Sequence, residues 1–304
     1  MSARLLLQPF IFSGMPMLTY ESTHQGTYQR SATDARPAAP PDAPLEQLRR
    51  NRLLAALPEA DLREFAPYLQ PVQLEHGQIL AEAGQAMRTV YFPTTTVASM
   101  VCLMEDGGAI EVAAIGREGV TGMPVLTGGN AMPNRLEVSS AGAAYAIEAR
   151  RFKSEFERSP ALNRLMLLYI QVLMTQIAQS ALCNRRHCVD EQLCRWLLLA
   201  HERAQSEQLV TTQQKIATML GVRREGITEA AGKLEAAGLI QRQRGRITVV
   251  DREGLEERTC ECYSIIKGEF LRLLPNPRSD ESEPTRPAVS LAARLREPMH
   301  ARQW

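Results

Sequence analysis

The chain has 304 residues, 44% of them hydrophobic and 23% charged, with a formal net charge of +1. That length allows two modest domains with real cores. The near-neutral balance excludes a uniformly basic coating protein, so any nucleic-acid contact must come from a local patch.

The N-terminal MSARLLLQPFIFSGMPML has a single Arg4 ahead of an apolar run that Gln8 and Pro9 break, and no small-residue cleavage site follows. It reads as a disordered leader, or as residues upstream of a start at Met15 or Met17, in preference to a signal peptide. Residues 20–44 are rich in Ser, Thr, Ala and Pro and end in RPAAPPDAP, too poor in apolar surface to offset ordering entropy. The expected leader is therefore 1–44. Order begins near Leu45, where LEQLRRNRLLAALPEADLREFAPYLQ repeats apolar residues at helical spacing and Pro58 starts a second short helix.

From Val72 to about Ile147 the texture changes. The β-prone runs RTVYFP, SMVCLM, IEVAAI and AAYAIEA alternate with glycines at 77, 84, 107, 108, 116, 128 and 129. Such closely spaced strands predict an antiparallel barrel or jelly roll, assigned here to 45–155. Residues 44–155 hold 10 basic and 13 acidic side chains, a net of −3, so this is not a nucleic-acid surface. Ser159 and Pro160 then make a helix start, and about six turns follow without a breaker. Leu162, Leu165, Met166, Tyr169, Val172, Leu173 and Ile177 form a broad stripe that suits both the domain core and a second copy of the helix, so 156–184 is read as a dimerisation helix. No run of eighteen apolar residues occurs, and no membrane span is expected.

DEQLCRWLLLAHERAQ is amphipathic, and Thr211 with Gln214 fits a capping box for the helix after it. KIATMLGVRREGITEAAGKL divides into two helices. Ile216, Ala217 and Leu220 face inward from the first, Gly221 makes a tight turn and Val222 plugs it. Ile227, Ala230, Ala231 and Leu234 return to the core from the second. Arg224, Glu225, Thr228 and Glu229 are left outside at the second helix's N-terminal end, the end that enters the major groove in this motif. An arginine can grip guanine O6 and N7, and a carboxylate accepts from cytosine N4. Thr212, Gln213, Lys215 and Arg223 are expected at phosphates, and Arg242, Arg244 and Arg246 around Gly245 form a basic wing. Residues 211–250 hold 7 basic and 3 acidic side chains, a net of +4, the sign DNA requires. Gly226 is expected to clear the DNA-facing turn, and Gly232 to allow close helix packing. GLEERTCECYSIIKGEFLRLL closes with one more helix, and 271–304 read as a disordered tail.

The stretch from about 185 to 255 resembles the C-terminal winged helix of the bacterial Crp/Fnr regulators, with LGVRREGITEAAGKL aligning without gaps on their recognition helix and the turn before it. Arg224 and Glu225 match the family's base-reading Arg-Glu pair, whereas the second reading arginine falls on Glu229. The resemblance covers about 45–270. It implies an α+β chain with an N-terminal antiparallel β jelly roll of cyclic-nucleotide-binding type, a long dimerisation helix and a C-terminal winged helix-turn-helix at 185–270. It further implies a cytoplasmic homodimer that regulates transcription from an inverted-repeat operator in double-stranded DNA and admits RNA polymerase as a partner. An effector at the β-roll is expected to modulate it. The pocket candidates are Glu118, Gly119 and Arg135. Glu118 precedes its glycine and Arg135 is followed by Leu136, so a cyclic nucleotide is disfavoured and no cofactor is expected.

Six cysteines, at 102, 183, 188, 194, 260 and 262, form no repeated CxxC framework, which points to reduced thiols and a cytosolic chain. Cys183, His187, Cys188 and Cys194 match no common metal spacing, and buried or idle thiols are the expectation, with no metal. Histidines 24, 76, 187, 201 and 300 stand singly, and no nucleophile–base pair, phosphate loop or HExxH is found, so no enzymatic activity is expected. The alternative is a ligand-sensing protein-interaction module whose winged helix docks a protein partner.

Overall fold

The computed structural model describes residues 45–204 and 206–274, all within one compact unit. The expected leader and the tail beyond 274 lie outside the described residues.

Helices α1 (Leu45–Leu48), α2 (Arg52–Ala55) and α3 (Glu59–Phe65) and a 3₁₀ turn at Ala66–Tyr68 open the fold. The buried Asn51 fixes their entry. Its Oδ1 accepts from the backbone N–H of Leu53 and Leu54 at 3.1 and 3.2 Å. Its Nδ2 donates to the carbonyls of Pro93 and Gly119 at 2.8 and 2.9 Å, so a buried amide is satisfied by the end of a strand and a loop, both distant in sequence.

Seven strands follow: β1 (Gln70–Leu74), β2 (Ile79–Ala81), β3 (Thr89–Pro93), β4 (Val97–Leu103), β5 (Ala109–Ile115), β6 (Arg135–Ser140) and β7 (Gly142–Glu148). Helix α4 (Met123–Thr127) interrupts them after β5, and α5 (Ala149–Arg158) follows β7. They pair antiparallel in two sheets, ordered β1-β7-β3 and β2-β6-β4-β5, which is the expected roll. Phe92 meets Phe65 and Phe152 edge-on in its core, at centroid distances of 5.8 and 5.7 Å, and Phe65 and Phe152 are tilted at 6.4 Å.

Helix α6 (Pro160–Arg186) runs 27 residues, and Ser159 caps it by accepting from the Leu162 N–H at 3.2 Å. Leu162, Met166, Tyr169 and Leu173 are buried in the core of the roll and Val172 is buried beside them on α6, while Leu165 and Ile177 are partly buried. By length and composition α6 is also apolar enough to cross a membrane, with a mean hydropathy of 1.5 over an 18-residue stretch, a property that counting consecutive apolar residues misses. It instead lies along the roll, where buried Gln176 donates to the Ala114 carbonyl of β5 at 3.1 Å. Its outer side keeps Leu167, Met174 and Leu182 at 54%, 65% and 44% exposure.

The last part comprises α7 (Val189–Ala204), β8 (Gln208–Val210), α8 (Gln213–Leu220), α9 (Arg224–Ala236), β9 (Ile240–Gln243), β10 (Arg246–Val249), α10 (Arg252–Arg258) and α11 (Glu261–Leu273). The three strands form one antiparallel sheet, β8-β10-β9. Three expectations differ from the structure in this part. The cap of α8 is Thr212, accepting from the Lys215 N–H at 3.1 Å, while Thr211 is buried on the strand side, so a one-sided cap replaces the expected capping box, since Lys215 cannot accept in return. The closing helix is two helices, because Thr259 and Cys260 adopt extended backbone between them. Leu271–Leu273, assigned to the tail, are the end of α11.

Candidate nucleic-acid interface

The turn between α8 and α9 forms as its residues require. Gly221 ends α8 at φ 66°, a left-handed conformation that costs a side-chain-bearing residue. A Cβ there would also stand 2.9 Å from Ile110 Cδ1 of the roll. Val222 N–H donates to the Ala217 carbonyl at 3.0 Å, and its side chain packs partly buried against the domain core. Ile227, Ala230, Ala231 and Leu234 are all buried, leaving Arg223, Arg224, Glu225, Thr228 and Glu229 exposed along the start of α9.

A groove of about 460 Å³ opens between the start of α8, Arg224 and the wing, lined among others by Thr212, Gln213, Arg242, Arg244 and Arg246. Among the described residues, the guanidinium groups of Arg223, Arg224 and Arg244 have no hydrogen-bond or ion-pair partner. Two uncommitted cations lining one groove, Arg224 and Arg244, beside the positive end of a helix dipole, suit a phosphate-bearing surface.

Several other candidates are committed elsewhere. Thr228 Oγ1 lies 2.9 Å from Gln213 Oε1 and 3.0 Å from the Arg224 carbonyl, which ties the two helices together. Glu229 pairs with Lys233 at 3.1 Å along its own helix, and Lys233 reaches Asp190 of α7 at 3.0 Å. Arg242 is half-buried and donates through Nε to Glu235 Oε2 at 2.8 Å; this bond holds the Glu235 carboxyl below its usual range. Arg246 Nη1 donates to Gln208 Oε1 at 3.2 Å.

Lys215, expected at a phosphate, is instead turned onto the roll. Its Nζ donates to the Ser139 carbonyl at 3.3 Å and lies 3.4–3.5 Å from the His76 ring nitrogens. Burial there pushes the Lys215 ammonium down from its usual range. The two interior glycines also differ from expectation. A Cβ on Gly226 would meet Val189 methyls at 3.8 Å, so this glycine faces α7 and not the groove. A Cβ on Gly232 would meet nothing within 4 Å, so no close packing explains it.

The effector candidates do not converge on a ligand cradle. Arg135 holds Glu82 with two hydrogen bonds, at 3.0 and 3.1 Å. Glu118 accepts from Arg203 of α7 at 2.7 Å, and Gly119 packs so closely on Tyr169 that a Cβ would stand 2.3 Å from its hydroxyl. What the sequence reading missed is that Glu118 joins the roll to the helix-turn-helix part.

An antiparallel β-roll is thus joined through one long helix to a winged helix-turn-helix. Residues 191–258 match the family model of the Crp-like helix-turn-helix domain. Solved structures with the same fold include FixK2 from Bradyrhizobium japonicum, at 15% identity and a TM-score of 0.56 over 63% of this chain and 98% of that one. A Crp/Fnr-family transcriptional regulator from Thermus thermophilus matches at 17% identity and 0.52, over 62% of this chain and 97% of its own. The c-di-GMP-responsive global regulator CLP from Xanthomonas campestris matches at 15% and 0.53, over 63% and 99%. No curated protein matches the chain. The chain thus carries a Crp-like helix-turn-helix domain on the Crp/Fnr regulator fold.

Proposed function

We propose that this protein is a homodimeric, cytoplasmic transcription regulator that reads an inverted-repeat operator, with Arg224 and Glu225 at base edges. The observation that carries this reading is the exposed start of α9, where Arg223, Arg224 and Glu225 are exposed and the uncommitted Arg224 and Arg244 line one groove. A guanidinium and a carboxylate one residue apart suit a guanine and a neighbouring cytosine. Thr212 and Gln213 serve as phosphate contacts, with Lys215 joining them only if α8 leaves the roll. Glu229, tied to Lys233, shapes the site without contributing an arginine to it.

The exposed Leu167, Met174 and Leu182 repeat at seven and eight residues along α6, the spacing of a seam between paired helices. Two reading heads related by a twofold axis would address half-sites about one helical turn, roughly 34 Å, apart. The β-roll modulates the head through an effector that is not a simple cyclic nucleotide, because Arg135 already has a carboxylate partner.

Gel shifts and footprinting against fragments of the source genome at physiological salt test the proposal. Protection of an inverted repeat supports it. Salt-insensitive or absent DNA binding, with a protein captured through the α9 face, would favour the docking alternative.

A further inference from the structure

Four side chains from distant parts of the sequence meet where α6 ends and α11 begins. Cys183 lies on the last turns of α6 and His187 caps its C-terminus, four residues on and so on the same face. Cys260 caps α11 and Cys262 is its second residue. The three sulfurs and one ring nitrogen all lie within 4.8 Å of one another. Cys183 Sγ and Cys260 Sγ are 3.5 Å apart, and Cys262 Sγ is 3.6 Å from His187 Nδ1. All three cysteines are buried, and the His187 side chain is 13% exposed.

From these distances we infer that Cys183, His187, Cys260 and Cys262 form a tetrahedral zinc site. Zinc–sulfur bonds of about 2.3 Å and zinc–nitrogen bonds of about 2.0–2.1 Å place the corners of a tetrahedron roughly 3.6–3.8 Å apart. The two distances above match those edges, and a set this tight encloses one ion and not an iron–sulfur cluster. Four protein ligands close the coordination sphere, so the ion is structural, not catalytic.

The surroundings supply what such an ion requires. With Nδ1 directed at the sulfurs, His187 Nε2 faces Glu261 Oε2 at 3.3 Å, the carboxylate–histidine pairing that fixes a metal-binding tautomer. Gln192 Nε2 donates to the His187 carbonyl at 2.9 Å and holds the end of α6 in place. Three thiolates, one imidazole and Zn²⁺ carry a net charge of −1. The buried guanidinium of Arg195, whose Nε has no hydrogen-bond partner among the described residues, stands beside Cys183 to balance it. Cys188 is exposed and Cys194 belongs to the core of the helix-turn-helix part, so neither takes part.

Metal analysis of the full chain, purified without chelator or zinc supplementation, tests the site. One zinc per chain is expected, retained in Cys188→Ser and lost in Cys262→Ser and His187→Ala. The wild-type chain provides a readout independent of variant folding: cobalt exchanged for zinc should give the intense visible bands of a tetrahedral, thiolate-rich site. Zinc-free protein with no such cobalt spectrum overturns the inference. So does a Cys183–Cys260 disulfide in peptide maps of freshly purified protein, or zinc that persists in both ligand variants.

Discussion

Arg203 of α7 donates through Nε to Glu118 of the roll at 2.7 Å, and their side chains are only 7% and 13% exposed. Burial works against the Arg203 charge, but the Glu118 carboxylate outweighs it and holds the guanidinium above its ordinary range. Removing one partner strands the other charge, whereas replacing both by apolar groups does not. Glu118→Ala is therefore expected to destabilise the chain by about 3–5 kcal/mol in urea unfolding. The double variant Glu118→Leu/Arg203→Met should be far less destabilised. A double-variant loss equal to the sum of the separate Glu118→Leu and Arg203→Met losses would show that the pair contributes no coupling.

Arg224 and Arg244 should separate by kind of effect. Arg224→Ala is expected to cost about 1–3 kcal/mol on the cognate operator and to relax one base position. Arg244→Ala should weaken all sequences alike and reduce the salt slope by about 1. Binding-site selection on both variants, with titrations at several salt concentrations, distinguishes them; unchanged base preference in Arg224→Ala would remove it from the reading set.

Gly232 lies mid-helix in α9 with open space where a Cβ would sit. Gly232→Ala should raise stability by about 0.5–1 kcal/mol, since it removes backbone freedom from the unfolded chain at no steric cost. A loss of stability, read by thermal unfolding, would mean that the open space is filled in the native assembly.

Met174 is 65% exposed at the middle of the α6 seam. Met174→Glu should yield monomers in light scattering and lose inverted-repeat binding, because two charges would face each other across a twofold axis. A persistent dimer would place the interface elsewhere.

The elements with strong local signals were legible in the sequence. Ser159-Pro160 announced α6, and Gly221 with the inward spacing of Ile227, Ala230 and Leu234 announced the turn and α9. What escaped was set by tertiary neighbours. Nothing local distinguishes Lys215 reaching a phosphate from Lys215 resting on Ser139, since the choice depends on where α8 docks. Thr211 and Thr212 are both competent caps, and the pairing of β8 with β10 buries the first. The thiol cluster was hidden because its two halves lie more than seventy residues apart. The four-residue step from Cys183 to His187 and the CEC triplet were its only local traces, and the break at Thr259 that aims Cys260 inward is not encoded by glycine or proline.

Phe270 on α11 packs against both the core of the roll and the core of the winged part. The winged part is also tied to the roll by the Arg203–Glu118 pair, by Lys215 on the Ser139 carbonyl and by the close approach of Gly221 to Ile110. A part held at several points on one face swings only by breaking some of them, so a substitution at Phe270 would loosen the seat of α9 from a position remote from the groove.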